Sequence, residues 1–342
     1  MTESGESTFE GIENQQDLLI DRDPTKKCLK IKPQTEDVDA FVRISKPHIL
    51  LPNDVIRIGS LRFEVRRFNH ATASVQGIRP SMEDEEYCRD GLLIDDRNSS
   101  LSMFNIYDGH GGMEASKFLR RSFHNFFMMH ARNASVPDAL LRTFQDADEA
   151  LLSHVKERGY SMNVGSVVNS IVIDSCGNIF CANLGDCRSV LALESGAIIN
   201  LSRDLNPSLP EEAQRIKRCG GFVSTGNRVN GRLAVSRAIG DFEYKTDLTR
   251  ENMVSNIPEI RVHNSTGQEE FVVMGCDGLF DVMTSEEVAT FVRDRASQFV
   301  SKRQEPDPNQ ICLDLITECV IKRGTSDNVT VVLIFLRQYH LQ

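Results

Sequence analysis

No apolar run in this 342-residue sequence approaches the roughly 18 residues of a membrane-crossing helix. A secretory leader is not expected either, because Met1–Leu19 is polar and acidic. Thr2 stands where N-myristoylation requires glycine. Basic residues are outnumbered: 39 Lys and Arg face 49 Asp and Glu, a formal net charge of −10. Phosphate-backbone binding needs clustered cations, so neither nucleic acid nor membrane is an expected partner. The nine cysteines are scattered, at positions 28, 88, 176, 181, 187, 219, 276, 312 and 319, with no two C-x-x-C pairs to make a zinc site. Their odd number and the polar start of the chain point to reduced thiols in the cytosol or nucleus. Asn98-Ser99-Ser100 and Asn328-Val329-Thr330 match glycosylation sequons, which carry no weight without secretion. No internal repeat is visible, and a monomer is expected.

What is present is 40% hydrophobic, enough for one large domain or two modest ones with a substantial core. Residues 1–26 are polar and acidic and are expected to be mostly disordered. Residues 27–68 hold short alternating segments (Cys28–Ile31, Ala40–Ile44, Asp54–Ile58, Leu61–Val65) between turn residues, a small β-rich extension. Its stretch Asn53–Val65 resembles the final hairpin of a forkhead-associated domain, but no phosphothreonine-binding G-R…S…H pattern precedes it. From residue 69 to 342 strands and helices alternate. A helix is expected from the Ser135 cap to Gly159. Others are expected from a Ser208/Glu211 capping box to Gly220-Gly221, from a Thr284/Glu287 box to about Phe299, and from Asp307-Pro308 to Gly324. Strands are expected at Val167–Ile173, Asn178–Asn183, Ser189–Leu193 and Val329–Leu336. Hairpins and paired helices, rather than a clean β-α-β series, imply antiparallel sheets with helices packed outside them.

The stretch Ser102–Gly112 organises the rest. Met103–Tyr107 is an apolar run of strand length that ends in Asp108-Gly109-His110-Gly111-Gly112, after which apolar residues from Ala115 to Phe127 fall at helical spacing. A carboxylate and an imidazole thus sit two residues apart at a strand end, beside glycines that let a ligand approach. Other apolar runs meet acids in the same way. Phe271–Cys276 leads into Asp277-Gly278, with Asp281 four residues on. Ile179–Asn183 leads into Gly185-Asp186, Asp327 immediately precedes Asn328 and the last strand, and Glu83-Asp84 follows Val75–Arg79. Singly, each acid is an ordinary turn former. Gathered in one cleft they would repel unless a cation neutralised them. An all-oxygen ligand set selects a hard cation, Mg²⁺ or Mn²⁺. Two such ions would activate water and orient a phosphoryl ester for in-line attack. Arg79 suits bidentate phosphate binding, or else a surface salt bridge. His110 suits proton donation to the leaving group.

These residues together resemble the metal-dependent serine/threonine protein phosphatases of type 2C, in order over Thr72–Phe335. The resemblance is carried by Gln76–Asp84 (QGIRPSMED), Asp108–Gly112 (DGHGG), Ala182–Arg188 (ANLGDCR), Glu212–Gly221, Arg228–Asp241 (RVNGRLAVSRAIGD), Cys276–Asp281 (CDGLFD) and Ser326-Asp327-Asn328. It implies an α+β fold, a four-layer α-β-β-α sandwich of two antiparallel sheets with the metals at one end. It implies that Asp108 bridges two ions, that Asp277 and Asp327 complete the first, and that Glu83 and the Gly109 carbonyl hold the second. Asp186 and Asp281, with Asp277, would take a weaker third ion. Asp84 would support the ligands from behind, Arg79 would clamp phosphate, and His110 would be the general acid. Water would attack phosphorus directly, with no phosphoenzyme, consistent with the lack of any cysteine followed six residues later by arginine. The substrates implied are phosphoproteins. Three departures stand out: Asp204-Leu205-Asn206-Pro207 for the usual Asp-His-Lys-Pro, Phe280 for a common Trp, and Gly165–Asn169 (GSVVN) for a Gly-Ser-Thr-Ala segment. The segments Thr225–Asn230 and Phe242–Met253 are expected to form a flap beside the site.

Two other readings compete. A pseudophosphatase would keep the fold as a phosphoprotein-binding or regulatory module. A two-metal nuclease or phosphodiesterase is disfavoured by the acidic charge balance.

Overall fold

The computed structural model describes residues 68–94, 100–247 and 250–337, together with the backbone of six short strands within residues 1–67. It divides into two compact units, Met1–Arg67 and Phe68–Gln342. In the first unit, β1 (Thr8–Phe9), β5 (Val55–Ile58) and β6 (Leu61–Glu64) form one three-stranded sheet. A second sheet is made by β2 (Leu18–Arg22), β3 (Leu29–Pro33) and β4 (Ala40–Phe41). The stretch 1–26 therefore contains two strands where disorder was expected: the apolar Leu18-Leu19-Ile20 gives β2 residues that pair with β3. The remainder of 1–26 lies outside the described residues. β5 and β6 form the antiparallel hairpin legible in Asn53–Val65.

The second unit is a sandwich of two antiparallel sheets with helices on both outer faces. One sheet has the order β15-β11-β10-β9-β8. Its strands are β8 (Glu85–Leu93), β9 (Ser100–His110), β10 (Gly165–Ile173), β11 (Ile179–Leu184) and β15 (Glu259–His263). The short β14 (Ile239–Gly240) joins it beside β10. The other sheet runs β13-β12-β16-β17-β7, from β7 (Asn69–Val75), β12 (Arg188–Leu193), β13 (Ile198–Asn200), β16 (Glu269–Gly275) and β17 (Val329–Phe335).

Alternation along the strands builds both sides of this sandwich at once. Phe104 and Ile106 of β9 face inward, onto Val272, Met274, Val332 and Ile334 of the opposite sheet. Their neighbours Met103 and Tyr107 face outward, onto Leu119 and Phe123 of α1 (Glu114–Ala131) and Phe144 of α2 (Val136–Arg158). On the far side, Phe271, Val273, Val331 and Leu333 pack under α5 (Ser285–Ser301) and α6 (Pro308–Thr317). Both faces of each central strand are buried, which is why these strands read as continuous apolar runs.

Three helices follow their end signals. Ser135 caps α2 and Gly159 closes it in the left-handed conformation, Thr284 and Glu287 form a complete capping box on α5, and Asp307 caps α6. The Ser208/Glu211 box does not form. α3 (Pro210–Arg218) starts later, because Pro210 takes its first position, and the Ser208 hydroxyl donates instead to Asn206. Glu83 and Asp84 also sit elsewhere than expected: β7 stops at Val75, and the two acids enter β8 rather than ending a strand through Arg79.

Candidate active site

Strand register gathers the acidic ends at one end of the sandwich. Val75, the last residue of β7, pairs with Val329, the first of β17. Gly275, the last of β16, pairs with both Val331 and Arg188. In the other sheet Glu85 opens β8 opposite Tyr107, and Gly165 opens β10 opposite His110. Asp327 therefore precedes one strand, Asp277 and Asp108 end two others, Asp186 lies in a turn between two more, and Glu83 leads into a sixth. All five line one cleft of about 450 Å³, with Arg79, Gly109 and His110.

Asn328 locks this corner. Its side-chain amide donates to the carbonyls of Gln76 (2.8 Å) and Ser81 (3.0 Å), and its carbonyl oxygen accepts the Glu83 N–H (2.9 Å). The 76–83 turn, which carries Arg79 and Glu83, is thereby held against the start of β17. Glu83 accepts the Ser81 hydroxyl (2.7 Å) and the Gly112 N–H (3.3 Å). Gly109 is required here: a Cβ would collide with the Glu83 carbonyl oxygen. Two expected site residues do not line the cleft. Asp84 is buried behind it and accepts the Thr330 hydroxyl (2.7 Å). Asp281 is exposed one turn beyond Asp277, at the end of α4 (Asp277–Phe280), and its N–H donates to the Asp277 carbonyl (2.7 Å).

The electrostatics are those of crowded carboxylates. Burial first, then the charges of Asp84, Asp277, Asp186 and Asp327, raise the Asp108 pKa well above the ordinary carboxylate value. Asp277 is pushed up to about 8 by burial and then by Asp186, Asp327, Asp281 and Asp84. Burial is also the main cause that brings Asp186 and Asp84 to about 6. Burial raises Asp281 too, with Asp204 adding to it. Such a set is poorly compensated by the protein alone and suits a divalent cation. The donors are carboxylate oxygens, the hard set that Mg²⁺ or Mn²⁺ takes. Cys276 Sγ belongs to one trio of potential donors, in which ligand atoms of Asp108, Cys276 and Asp277 lie within 4.8 Å of one another. That thiol does not fit as a ligand. Burial raises its pKa well above the ordinary thiol value, and it is engaged with the Asn328 carbonyl and the Thr330 N–H of β17. The carboxylates fit the ions that the sequence implied.

The sequence model of the family described as Protein phosphatase 2C matches residues 68–329. The chain belongs to the protein phosphatase 2C family. It is 34% identical over 299 residues to Protein phosphatase 2C homolog 2 of Hypocrea jecorina, covering 83% of this chain and 66% of that protein. It is 32% identical over 283 residues to Protein phosphatase 2C 1 of Paramecium tetraurelia, covering 78% of this chain and 92% of that one. Among solved structures, a sex-determining protein of C. elegans superposes with a TM-score of 0.69 at 26% identity, over 80% of this chain and 66% of that chain. The serine-threonine phosphatase 2C of Toxoplasma gondii superposes at 0.66 with 22% identity, over 79% and 95%, and supports the fold.

The departures of this 2C phosphatase leave the acids in place. Leu205 is fully buried and donates its N–H to Gly185 (2.9 Å), beside Asp186, while Asp204 pairs with Arg188 (2.6 Å). The Arg188 guanidinium lies over the Phe280 ring at 4.7 Å. Asn169 donates to Asn183 (2.8 Å) and accepts the Ser189 hydroxyl (2.5 Å), a buried polar bridge between the sheets. The flap divides. Arg228, Arg232 and Leu233 line the cleft, as do Glu243 and Tyr244, but Arg250, Glu251 and Asn252 line a separate hollow over α3. The cause is Arg215 of α3, which holds the carbonyls of Asn252 (3.2 Å) and Met253 (3.3 Å). Sequence reading gave no role to Asn328 or Asp241. Both stand inside quoted motifs, but neither ends an apolar run as a charged group facing a glycine turn.

Proposed function

We propose that this protein phosphatase hydrolyses phosphoserine and phosphothreonine esters in proteins with the help of two hard divalent ions, Mg²⁺ or Mn²⁺, without a phosphoenzyme. Protein phosphatase activity follows from the family. The finer reading is carried by one observation: five acids from five separate strand ends line a single cleft together with Arg79 and His110. In this reading Asp108, Asp277 and Asp327 would hold one ion, and Asp108, Glu83 and the Gly109 carbonyl would hold the other. Asp186 and Asp277, with Asp281 at the exposed end of α4, would hold a weaker third. Bound there, the ions would supply an activated water and charge neutralisation at phosphorus.

The chain's own residues do the rest. Arg79 offers a planar fork of donors to the phosphoryl oxygens at the cleft rim. Asp84 stays behind the site and fixes the start of β8 through Thr330. His110 carries a proton for the seryl or threonyl oxygen as the P–O bond breaks. Burial disfavours the charged imidazole, but the Asp241 carboxylate outweighs it and raises the His110 pKa from its ordinary value. The pseudophosphatase alternative is not favoured, because the acids that would hold metal are all retained.

The test is a phosphopeptide assay with Mg²⁺ and Mn²⁺ titrations. Asp108→Ala and Asp277→Ala should abolish turnover with the fold kept, and EDTA should do so reversibly. Full turnover in metal-free buffer would exclude the reading. Metal binding without turnover on any phosphopeptide would favour the pseudophosphatase.

A further inference from the structure

His110, Gly165 and Asp241 form a unit that the metal site does not require. Gly165 of β10 lies between His110 of β9 and Gly240 of β14 in the same sheet, paired with both. Across this glycine the His110 imidazole meets the next residue, Asp241: Nε2 and Oδ2 are 2.7 Å apart. A Cβ on Gly165 would fall 2.5 Å from His110 Nε2 and closer still to Asp241 Oδ2. The missing side chain is the space in which the two groups touch.

Asp241 is held there against its own preferences. It is 1% exposed, sits in the left-handed region at φ 52°, and its Oδ1 has no hydrogen-bond partner among the described residues. A buried half-satisfied carboxylate at a strained backbone position costs stability and persists only where its surroundings fix it. Those surroundings are extensive. The Asp241 N–H donates to the Val164 carbonyl (2.9 Å), and the Phe242 N–H donates to the Met162 carbonyl (2.8 Å). The preceding Gly240 N–H donates to Asp148 of α2 (2.8 Å). Asp148 is itself held by Lys245 (2.8 Å) and Asn256 (3.0 Å), with Asp148 and Lys245 no more than 1% exposed.

We propose that Asp241 is the positioning residue of His110, and that it makes Nδ1 the nitrogen that delivers the proton to the leaving oxygen. A carboxylate oxygen accepts, so Nε2–H is the donor in this pair, and the tautomer follows from that bond. The proton available to substrate then sits on Nδ1. As the P–O bond breaks, its electron pair goes to the seryl or threonyl oxygen, the Nδ1 proton joins it, and a neutral ring with Nε2–H remains. Water supplies the new oxygen on phosphorus. The inference rests on the acid role of His110 proposed above.

The experiment compares Asp241→Asn with His110→Ala on a phosphopeptide and on an aryl phosphate, whose leaving group needs no proton. Asp241→Asn should lower kcat on the phosphopeptide by about 10- to 1000-fold with KM changed less than about threefold. The loss on the aryl phosphate should be at least about tenfold smaller. The double variant should be no slower than His110→Ala alone, since both act through one group. Gly165→Ala, which leaves Asp241 intact, should show the same leaving-group-selective loss. A long-range proton–nitrogen NMR spectrum of the metal-loaded wild-type protein should show the neutral His110 ring protonated at Nε2, whether or not the variants fold. Wild-type kcat in Asp241→Asn, equal losses on both substrates, additive losses in the double variant, or a ring protonated at Nδ1 would each overturn the proposal while leaving His110 as the acid. Full phosphopeptide turnover in His110→Ala would overturn the acid role and this inference together.

Discussion

Arg79 and Asp327, 248 positions apart, share a hydrogen bond of 2.6 Å between Nη2 and Oδ2. The guanidinium proposed to grip phosphate is thus held by a carboxylate proposed to hold metal. Asp327 heads the causes that raise the Arg79 pKa above its ordinary value. Cation and guanidinium compete for one carboxylate, so a metal ion on Asp327 would loosen Arg79 toward the cleft.

This competition predicts opposite effects on two ligands. Arg79→Ala should raise the phosphopeptide KM by about tenfold or more, with a smaller change in kcat. It should also tighten Mn²⁺ binding in calorimetry, because a positive charge beside the ligands is removed. Weaker Mn²⁺ binding in this variant would mean that Arg79 supports the metal site rather than competing with it.

The crowded acids set the pH dependence of the metal-free protein. Folded Asp277 titrates at about 8, and Asp186 and Asp84 at about 6, all above the unfolded value near 3.8. Groups raised in this way favour the folded state through bound protons. Their contribution is complete below about pH 4 and is lost as pH climbs through 6 and then 8. Glu269 works in the other direction. Despite its burial, hydrogen bonds from Thr266 and His263 lower it to about 2, so its contribution is present above its unfolded value and lost only in acid. In EDTA the Tm should therefore fall between about pH 5 and 8, and Mn²⁺ should raise it more at pH 8 than at pH 5. A Tm in EDTA that is flat or rising over this range would contradict the arrangement.

Glu212 of α3 is a buried carboxylate between two arginines, Arg215 at 2.8 Å and Arg237 at 2.6 Å. Those arginines hold the carbonyls of Ser236 (2.5 Å), Asn252 (3.2 Å) and Ile257 (3.0 Å), which ties down the chain on both sides of the Phe242–Met253 segment. Glu212→Ala leaves the buried Arg215 and the partly buried Arg237 without their acid, at a cost of about 3–5 kcal/mol in denaturant unfolding. Glu212→Gln, which retains part of the hydrogen bonding, should cost less. An unchanged unfolding midpoint in Glu212→Ala would show that the arginines find compensation elsewhere.

Local chemistry in the sequence was enough to specify the central strands, most helix ends and the identity of the acids. A strand buried on both faces is mostly apolar, as Phe271–Met274 and Met103–Tyr107 are, the latter interrupted by the buried Asn105, and a capped helix declares its first turn, as Thr284 and Glu287 do. Among the strands left unread, β8 and β15 are the two edges of their sheet, where partial solvation mixes charged residues such as Glu85, Arg89 and Arg261 into the pattern. What the tertiary structure alone decided is which ends meet. Antiparallel register turns the finish of one strand and the start of its neighbour toward the same end of the sandwich, and no local pattern records that pairing. The contact between His110 and Asp241 belongs to the same class: it depends on two strands flanking a residue with no side chain, 131 positions of chain being closed by backbone pairing across Gly165.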